Sequence, residues 1–134
     1  MPFVLDASAM VAILLPDEDS PQVITDRLGA DSVVAPGHWA AEVTNGLVSA
    51  WRSGRISALQ MHALARDLSG IEVVFDPTSI ESATGAILDL TKQHGLTTYA
   101  AAYLELALRL DVPLATHDQR LRRAARAAGV TIVE

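Results

Sequence analysis

Apolar and polar residues alternate along this chain in blocks that predict strands and helices in turn. Short apolar runs rich in β-branched residues are typical of buried strands, and five occur: FVLD (3–6), SVVAP (32–36), IEVVF (71–75), PLAT (113–116) and VTIVE (130–134). The segments between them repeat apolar residues every three or four positions, which indicates amphipathic helices. Those helices are predicted over 8–18, 20–29, 38–54, 57–70, 78–95, 96–111 and 117–129.

Local signals place several helix boundaries. Ser8 is expected to start the first helix and Pro16 to stop it, because the residue before a proline avoids helical backbone. In the second helix, Ser20 is the expected cap, Pro21 the first helical residue and Gly29 the terminator.

Strands that are separated by helices pair in parallel through crossover connections. The predicted fold is therefore α/β, with three layers in which helices flank a parallel sheet. No linker, repeat or low-complexity segment interrupts the chain, so one domain is expected over 1–134. In open sheets of this kind, ligands bind beyond the carboxyl ends of the strands. Functional side chains are expected just after the strands.

Composition narrows the class of protein. Half of the residues are hydrophobic and 19% are charged, which excludes a disordered chain. The absence of cysteine excludes disulfides, thiolate zinc sites and cysteine nucleophiles. No basic segment precedes the first apolar run, and no apolar run approaches the roughly 18 residues that span a bilayer. We expect a soluble cytoplasmic protein with no membrane partner.

Charge gives two opposing indications. The net charge of -6 argues against a nucleic-acid partner that is held by phosphate contacts alone. Near the C-terminus, however, a short segment carries four arginines: Arg120, Arg122, Arg123 and Arg126. On one helix they would form either a local basic surface or an ordinary solvated face.

Three acidic residues are candidates for a site. Asp6 and Asp118 each follow a predicted strand, where an aspartate often caps the next helix, but recurrence at two strand ends favours a shared site. Glu42 has no lysine or arginine in its helix before Arg52, so it points either to water or into a site. If the three carboxylates converge, their repulsion requires a cation, and oxygen ligands favour Mg²⁺ or Mn²⁺. Such an ion binds phosphate oxygens and activates water.

Other chemistries lack their motifs. There is no glycine-rich dinucleotide loop, no Walker A loop and no G-x-S-x-G elbow. His38 and Glu42 share an i,i+4 spacing, which we interpret as a helix-start histidine rather than as a pair of ligands. His62 and His94 are expected at the surface, and His117 is given no role.

Five segments together resemble the PIN-domain ribonucleases, particularly the VapC-type toxins of bacterial toxin-antitoxin pairs. They are V-L-D-A-S, A-x-E-V-x-N-x-L, L-T-x-Y-x-A-x-Y-L-E-L-A, P-L-A-T-x-D-x-x-L and A-A-x-x-x-G-V, between Phe3 and Val130. The resemblance implies a compact parallel α/β (Rossmann-like) fold and Mg²⁺- or Mn²⁺-dependent endonucleolytic cleavage of RNA. It also implies a homodimer that a small antitoxin protein neutralises.

The resemblance also assigns residues. The catalytic and metal-binding acids are matched by Asp6, Glu42 and Asp118, and the supporting polar positions by Ser8, Asn45 and Thr116. The chain departs from the family pattern at Ala100, because the family reads Y-D-A after L-T-x and this chain has alanine in place of the aspartate. That aspartate is one of the family's principal metal ligands, so alanine should weaken metal binding and cleavage and leave the fold intact.

Two explanations of Ala100 stay open: a deliberate replacement of a catalytic aspartate, or a natural variant that has lost activity and survives as a binding protein. Aspartate at codon 100 of the encoding gene would favour the enzyme, and alanine would favour the binding protein.

Three functions are compatible with these residues. The leading hypothesis is a metal-dependent endoribonuclease toxin of impaired activity, with Arg122 and Arg123 holding the RNA backbone beside the site. The second is a non-catalytic PIN module whose helices present Trp39, Trp51 and Met61 to an antitoxin helix, although such residues are more often core. The third is a hydrolase of DNA or phosphomonoesters, since carboxylates alone do not select RNA.

Overall fold

A four-stranded parallel sheet lies at the centre of the molecule. In the computed structural model, which describes all 134 residues, the strands are β1 (Phe3–Leu5), β2 (Val33–Pro36), β3 (Val73–Asp76) and β4 (Leu114–Ala115). Their order across the sheet is β3-β2-β1-β4, and every adjacent pair is parallel. All residues of β1, β2 and β4 are buried, as in sheets that helices cover on both faces. The predicted three-layer α/β fold is confirmed.

Helices connect and cover the strands. They are α1 (Ala7–Leu14), α2 (Gln22–Ala30), α3 (Trp39–Arg52), α4 (Ala58–Ser69), α5 (Ile80–Ser82), α6 (Leu88–His94), α7 (Thr98–Leu110) and α8 (Gln119–Ala127). A π-helical turn, Ala83–Ile87, joins α5 to α6, so the helix predicted over 78–95 is not a regular α-helix. None of these helices combines the length and the apolarity that a membrane crossing requires.

Several local predictions were wrong. Residues 130–134 form no strand: only a parallel bridge between Leu114 and Ile132 remains, because β4 is two residues long and offers little edge to pair with. Ser8 does not start α1, since Asp6 occupies the position before the helix. In the second helix, Pro21 precedes α2 instead of opening it, and Gly29 lies inside it.

Helix α3 packs closely on α1. At their contact a Cβ added to Gly46 would lie 2.6 Å from a methyl carbon of Val11, so a larger residue at position 46 would require the Val11 side chain to shift. Trp39, at the start of α3, is 2% exposed and packs against Phe75 with the ring centres 6.0 Å apart. Trp39 is therefore a core residue, the preferred of the two alternatives, and its candidate role as an exposed anchor is wrong. Trp51 is 42% exposed.

Candidate active site

Asp6 lies where the order of the strands reverses. β1 has β2 on one side and β4 on the other, and such a reversal opens a crevice beyond the carboxyl ends of the strands. The backbone N–H of Asp6 donates to the carbonyl of Ala115 at 2.9 Å, which extends the pairing of β1 with β4. Thr116 therefore lies beside Asp6 at the end of the neighbouring strand.

Two hydroxyls hold the carboxylate of Asp6. Its Oδ2 accepts from Ser8 Oγ at 2.6 Å and from Thr116 Oγ1 at 2.7 Å. Ser8 accepts in turn from the backbone N–H of His117 at 3.0 Å, and Thr116 from that of Asp118 at 3.0 Å. Because each hydroxyl has one proton and gives it to Asp6, the two-part network fixes the carboxylate against the β4–α8 loop.

Burial makes the charge of Asp6 unfavourable. The side chain is almost inaccessible, with 6% of the residue exposed. Desolvation raises the pKa of Asp6 to about 6, against the hydrogen bonds from Ser8 and Thr116, which lower it. The charges of Glu42 and Asp118 raise it further, so these two acids act on Asp6 electrostatically. A nearby positive charge would stabilise the ionised form.

Glu42 is half-buried in the first turn of α3 and has two partners. Tyr103 donates its hydroxyl to Glu42 Oε1 at 2.7 Å, and His38 Nε2 lies 3.1 Å from the same oxygen. Burial raises the pKa of Glu42, but the neighbouring His38 and the hydrogen bond from Tyr103 outweigh it and leave the pKa below its usual value. Glu42 therefore has partners in His38 and Tyr103, although its helix offers no lysine or arginine before Arg52.

The rings around Glu42 form a small aromatic cluster. His38 meets the edges of Tyr99 and Tyr103, with ring centres 5.4 Å and 5.2 Å apart. Sequence reasoning gave Tyr103 no role. Its one available signal was that a tyrosine in a buried helix needs a partner for its hydroxyl, and the identity of that partner depends on contacts 61 residues apart.

Asp118 serves as the cap of α8. Its Oδ1 accepts from the backbone N–H groups of Arg120 at 2.9 Å and Leu121 at 3.2 Å. A helix cap was one of the two roles that the sequence allowed for Asp118. The capping role uses only one of its two carboxylate oxygens. Oδ2 accepts no hydrogen bond from the protein.

Ala100 lies in the first turn of α7, third after the cap Thr97. Its backbone N–H donates to Thr97 Oγ1 at 3.1 Å. The residue is half-buried, whereas Ala101 and Ala102 are fully inside the core. Acidic side chains are favoured at this third position, where the helix dipole is positive. An aspartate would fit the local structure.

Of the remaining predicted residues, Asn45 and Arg123 make no hydrogen bond to this network, and Arg122 contacts it only at the backbone of Thr116. Asn45 is exposed on α3 and its side chain makes no hydrogen bond. Arg122 donates to the carbonyl of Thr116 at 2.9 Å and lies 3.5 Å from Glu134. Arg123 is exposed.

A complete cation site is not formed by the acids present. No group of three or more histidine, aspartate or glutamate side chains is arranged to hold a metal ion. The donors fit Mg²⁺ or Mn²⁺ in kind, because all are oxygens, but they are too few. Asp6 Oδ1, Glu42 Oε2 and Asp118 Oδ2 accept no hydrogen bond, and Ala100 supplies no carboxylate.

The Tyr103→Phe substitution tests the setting of Glu42. We expect the pKa of Glu42 to rise, because burial still raises it and the opposing hydrogen bond from Tyr103 is lost. Carbon-detected NMR titration of the glutamate carboxyls measures this. Tyr99→Phe is the matched control, since Tyr99 is 63% exposed and its hydroxyl has no protein partner. An unchanged or lower Glu42 pKa in Tyr103→Phe contradicts the assignment.

The chain is similar in sequence to a known protein family and to named ribonucleases. The sequence profile of the PIN domain matches residues 3–127. Ribonuclease VapC3 of Mycobacterium tuberculosis is 33% identical over 121 residues, which cover 90% of this chain and 85% of that protein.

Solved structures share the fold. PAE2754 from Pyrobaculum aerophilum aligns with a TM-score of 0.72 at 24% identity, over 99% of this chain and 84% of its own. The Sarcin-Ricin loop cleaving toxin VapC20 of Mycobacterium tuberculosis aligns with a TM-score of 0.69 at 15% identity, over 98% of both chains.

Proposed function

The chain belongs to the PIN-domain family, among its VapC-like members, and from this premise we propose that it is an endoribonuclease toxin. It would hydrolyse RNA phosphodiester bonds with Mg²⁺ or Mn²⁺. The observation that carries the proposal is Asp6, a buried carboxylate at the β1/β4 crevice that Thr116 links to the backbone of Asp118 and whose ionised form the charges of Glu42 and Asp118 disfavour. Such a group is stable in its ionised form when a cation is bound.

Each residue has a distinct part in this proposal. With a carboxylate restored at residue 100, the cation would be held by that group together with Asp6, Glu42 and Asp118, and when bound it would supply positive charge for phosphate oxygens and a more acidic water. Ser8 and Thr116 orient Asp6 through their hydroxyls. Tyr103 and His38 fix Glu42 and keep it ionised.

Ala100 lowers the activity expected of this chain. The proposed site has three carboxylates where the family pattern has four, so cation affinity should be low. The same residue favours the alternative function, a non-catalytic PIN module that binds a partner without cleaving RNA. Restoration of the acid separates the two, because the Ala100→Asp protein should cleave RNA if the rest of the site is that of an enzyme and should not if the chain is a binding module.

The proposal includes a cytoplasmic location, a homodimer and a small antitoxin as protein partner. Apolar side chains that a partner would cover are exposed on α3 and α4 and on the edge strand β3. They are Trp51, Leu59, Val74 and Phe75, between 42% and 82% exposed. Large exposed apolar groups of this kind are common at protein interfaces.

A substrate panel tests the reaction class. The Ala100→Asp protein is incubated with a single-stranded RNA, the DNA of the same sequence and a phosphomonoester, each with Mn²⁺ and with EDTA. We expect internal cleavage of the RNA only, and no cleavage in EDTA. Equal cleavage of DNA, or hydrolysis of the phosphomonoester alone, would reject the endoribonuclease in favour of the other hydrolases.

A further inference from the structure

An open cavity of about 390 Å³ lies between the end of α6 and one face of α8. Its polar lining consists of Gln93, His94, Arg120 and Arg123, and no acidic residue lines it. We call it the basic cavity. In a chain with 16 acidic and 10 basic residues, a concave surface without a carboxylate is a feature that needs a physical reason.

The four arginines of α8 fall into two classes. Arg126 contacts both carboxylate oxygens of Glu134, at 2.9 Å and 2.8 Å. Arg122 is held by the Thr116 carbonyl and by Glu134. Arg120 and Arg123 have no ion pair and make no side-chain hydrogen bond, and both line the cavity. The basic surface that the sequence suggested therefore reduces to these two residues.

The proximity of the Arg120 and Arg123 charges is electrostatically unfavourable when no ligand is bound. Residues three apart on a helix are neighbours, and like charges in that relation repel. No acidic residue pairs with Arg120 or Arg123 to relieve the repulsion, whereas Glu134, which lies after α8, pairs with Arg126. An anion bound between the two guanidinium groups would relieve it, and guanidinium groups match phosphate oxygens in geometry.

The cavity adjoins the acidic site at two points. The backbone N–H of Arg120 donates to Asp118 Oδ1, so Arg120 lies next to the aspartate that caps α8. On the other wall, Gly95 ends α6 with φ of 64° and is followed within two residues by Thr97, the cap of α7. The cavity therefore lies near the start of α7, which carries Ala100, and near the start of α8, which Asp118 caps.

We propose that the basic cavity binds phosphate groups of the RNA strand next to the phosphodiester that is cleaved. This inference rests on the proposed function and names Arg120 and Arg123, rather than Arg122, as the residues that hold the substrate backbone. They contact the backbone and so add affinity without selecting a base. Because both lie outside the acidic site, they position the strand and take no part in the reaction.

Binding of RNA by the Ala100 chain in EDTA tests the proposal without cleavage. Anisotropy of a labelled single-stranded RNA is measured between 50 and 200 mM salt for Arg120→Gln, Arg123→Gln and the double variant. Each single variant should lose about five-fold in affinity, and the slope of log affinity against log salt should fall by about 0.7 for each arginine. Circular dichroism confirms that the variants fold.

The controls remove one charge elsewhere. Arg126→Gln lies on the same helix but belongs to an ion pair, and Arg66→Gln lies on α4, exposed. Both should bind RNA as the parent does. A double variant with unchanged affinity and slope overturns the proposal, and so does an equal loss in Arg66→Gln, which would indicate an effect of net charge. Loss of binding to a co-purified protein partner with unchanged RNA binding would overturn it in favour of a protein interface.

Cleavage kinetics distinguish a wrong role of the basic cavity from a wrong assignment as a ribonuclease. In the Ala100→Asp background, substitution of both arginines should raise KM for RNA and leave kcat unchanged. If Ala100→Asp cleaves RNA and the arginine variants match it in KM and in binding, the basic cavity has no such role and the ribonuclease assignment stands. Absence of cleavage by Ala100→Asp itself rejects the ribonuclease.

Discussion

The Ala100→Asp protein should cleave single-stranded RNA at least about 100-fold faster than the Ala100 chain when Mg²⁺ or Mn²⁺ is present. Residues that merely orient metal ligands change affinity or activity by about 10- to 100-fold, so a ligand itself should reach the top of that range. The gain should disappear in EDTA. Gel-resolved cleavage of a labelled RNA under single-turnover conditions measures it.

The physical reason lies in the first turn of α7. Side chains of a helix tilt towards its N-terminus, so the Cβ of residue 100 is directed back to the end where Thr97 caps the helix. A carboxylate there is also favoured by the helix dipole, so the substitution should not cost stability. Ala100→Asn is the matched control, with the same shape and no charge. Equal rates for Ala100→Asp and Ala100→Asn would contradict a role for the charge.

The Asp6→Asn substitution should abolish cleavage in the Ala100→Asp background and stabilise the fold at neutral pH. The folded state raises the pKa of Asp6 from 3.8 to about 6, so between these values the folded protein holds a proton that the unfolded chain has released. Stability contributed by this group is therefore present below pH 4 and is lost as the pH rises through about 6. At about 1.4 kcal/mol for each unit, the loss amounts to about 3 kcal/mol.

Urea unfolding in EDTA at pH 4 and pH 8 measures this effect. Asparagine carries no charge, so the variant should gain about 2–3 kcal/mol over its parent at pH 8 and much less at pH 4. Asp67→Asn is the control, since Asp67 is exposed on α4 and its carboxylate has no hydrogen-bond partner. A variant that is less stable than its parent at pH 8 would show that Asp6 is a structural residue rather than one held for a cation.

The sequence predicts the order of the helices and of the first four strands, and it predicts that Asp6 and Thr116 follow strands, because both depend on local patterns. Apolar runs identify β1 to β4, and the rule for parallel sheets places Asp6 and Thr116 at one edge. The strand predicted at VTIVE does not form, although its residues are apolar enough. The reason lies in its neighbour, because β4 is too short to pair with it.

Contacts between distant segments decide the rest. The hydrogen bond of Tyr103 to Glu42 joins α7 to α3, and the ion pair of Arg126 with Glu134 depends on where the chain turns after α8. No spacing in the sequence indicates either. For the same reason the split between paired and unpaired arginines on α8 appears only when the fold is known.

The affinity for Mn²⁺ tests most directly whether residue 100 is the position of a missing carboxylate in an acidic cation site. Free Mn²⁺ is followed by electron paramagnetic resonance in titrations of the Ala100 chain, Ala100→Asp and Ala100→Asn at pH 7.5. We expect Ala100→Asp to bind Mn²⁺ at least about ten-fold more tightly than the other two, and we expect Asp6→Asn to remove the gain. Equal binding by all three proteins would contradict it.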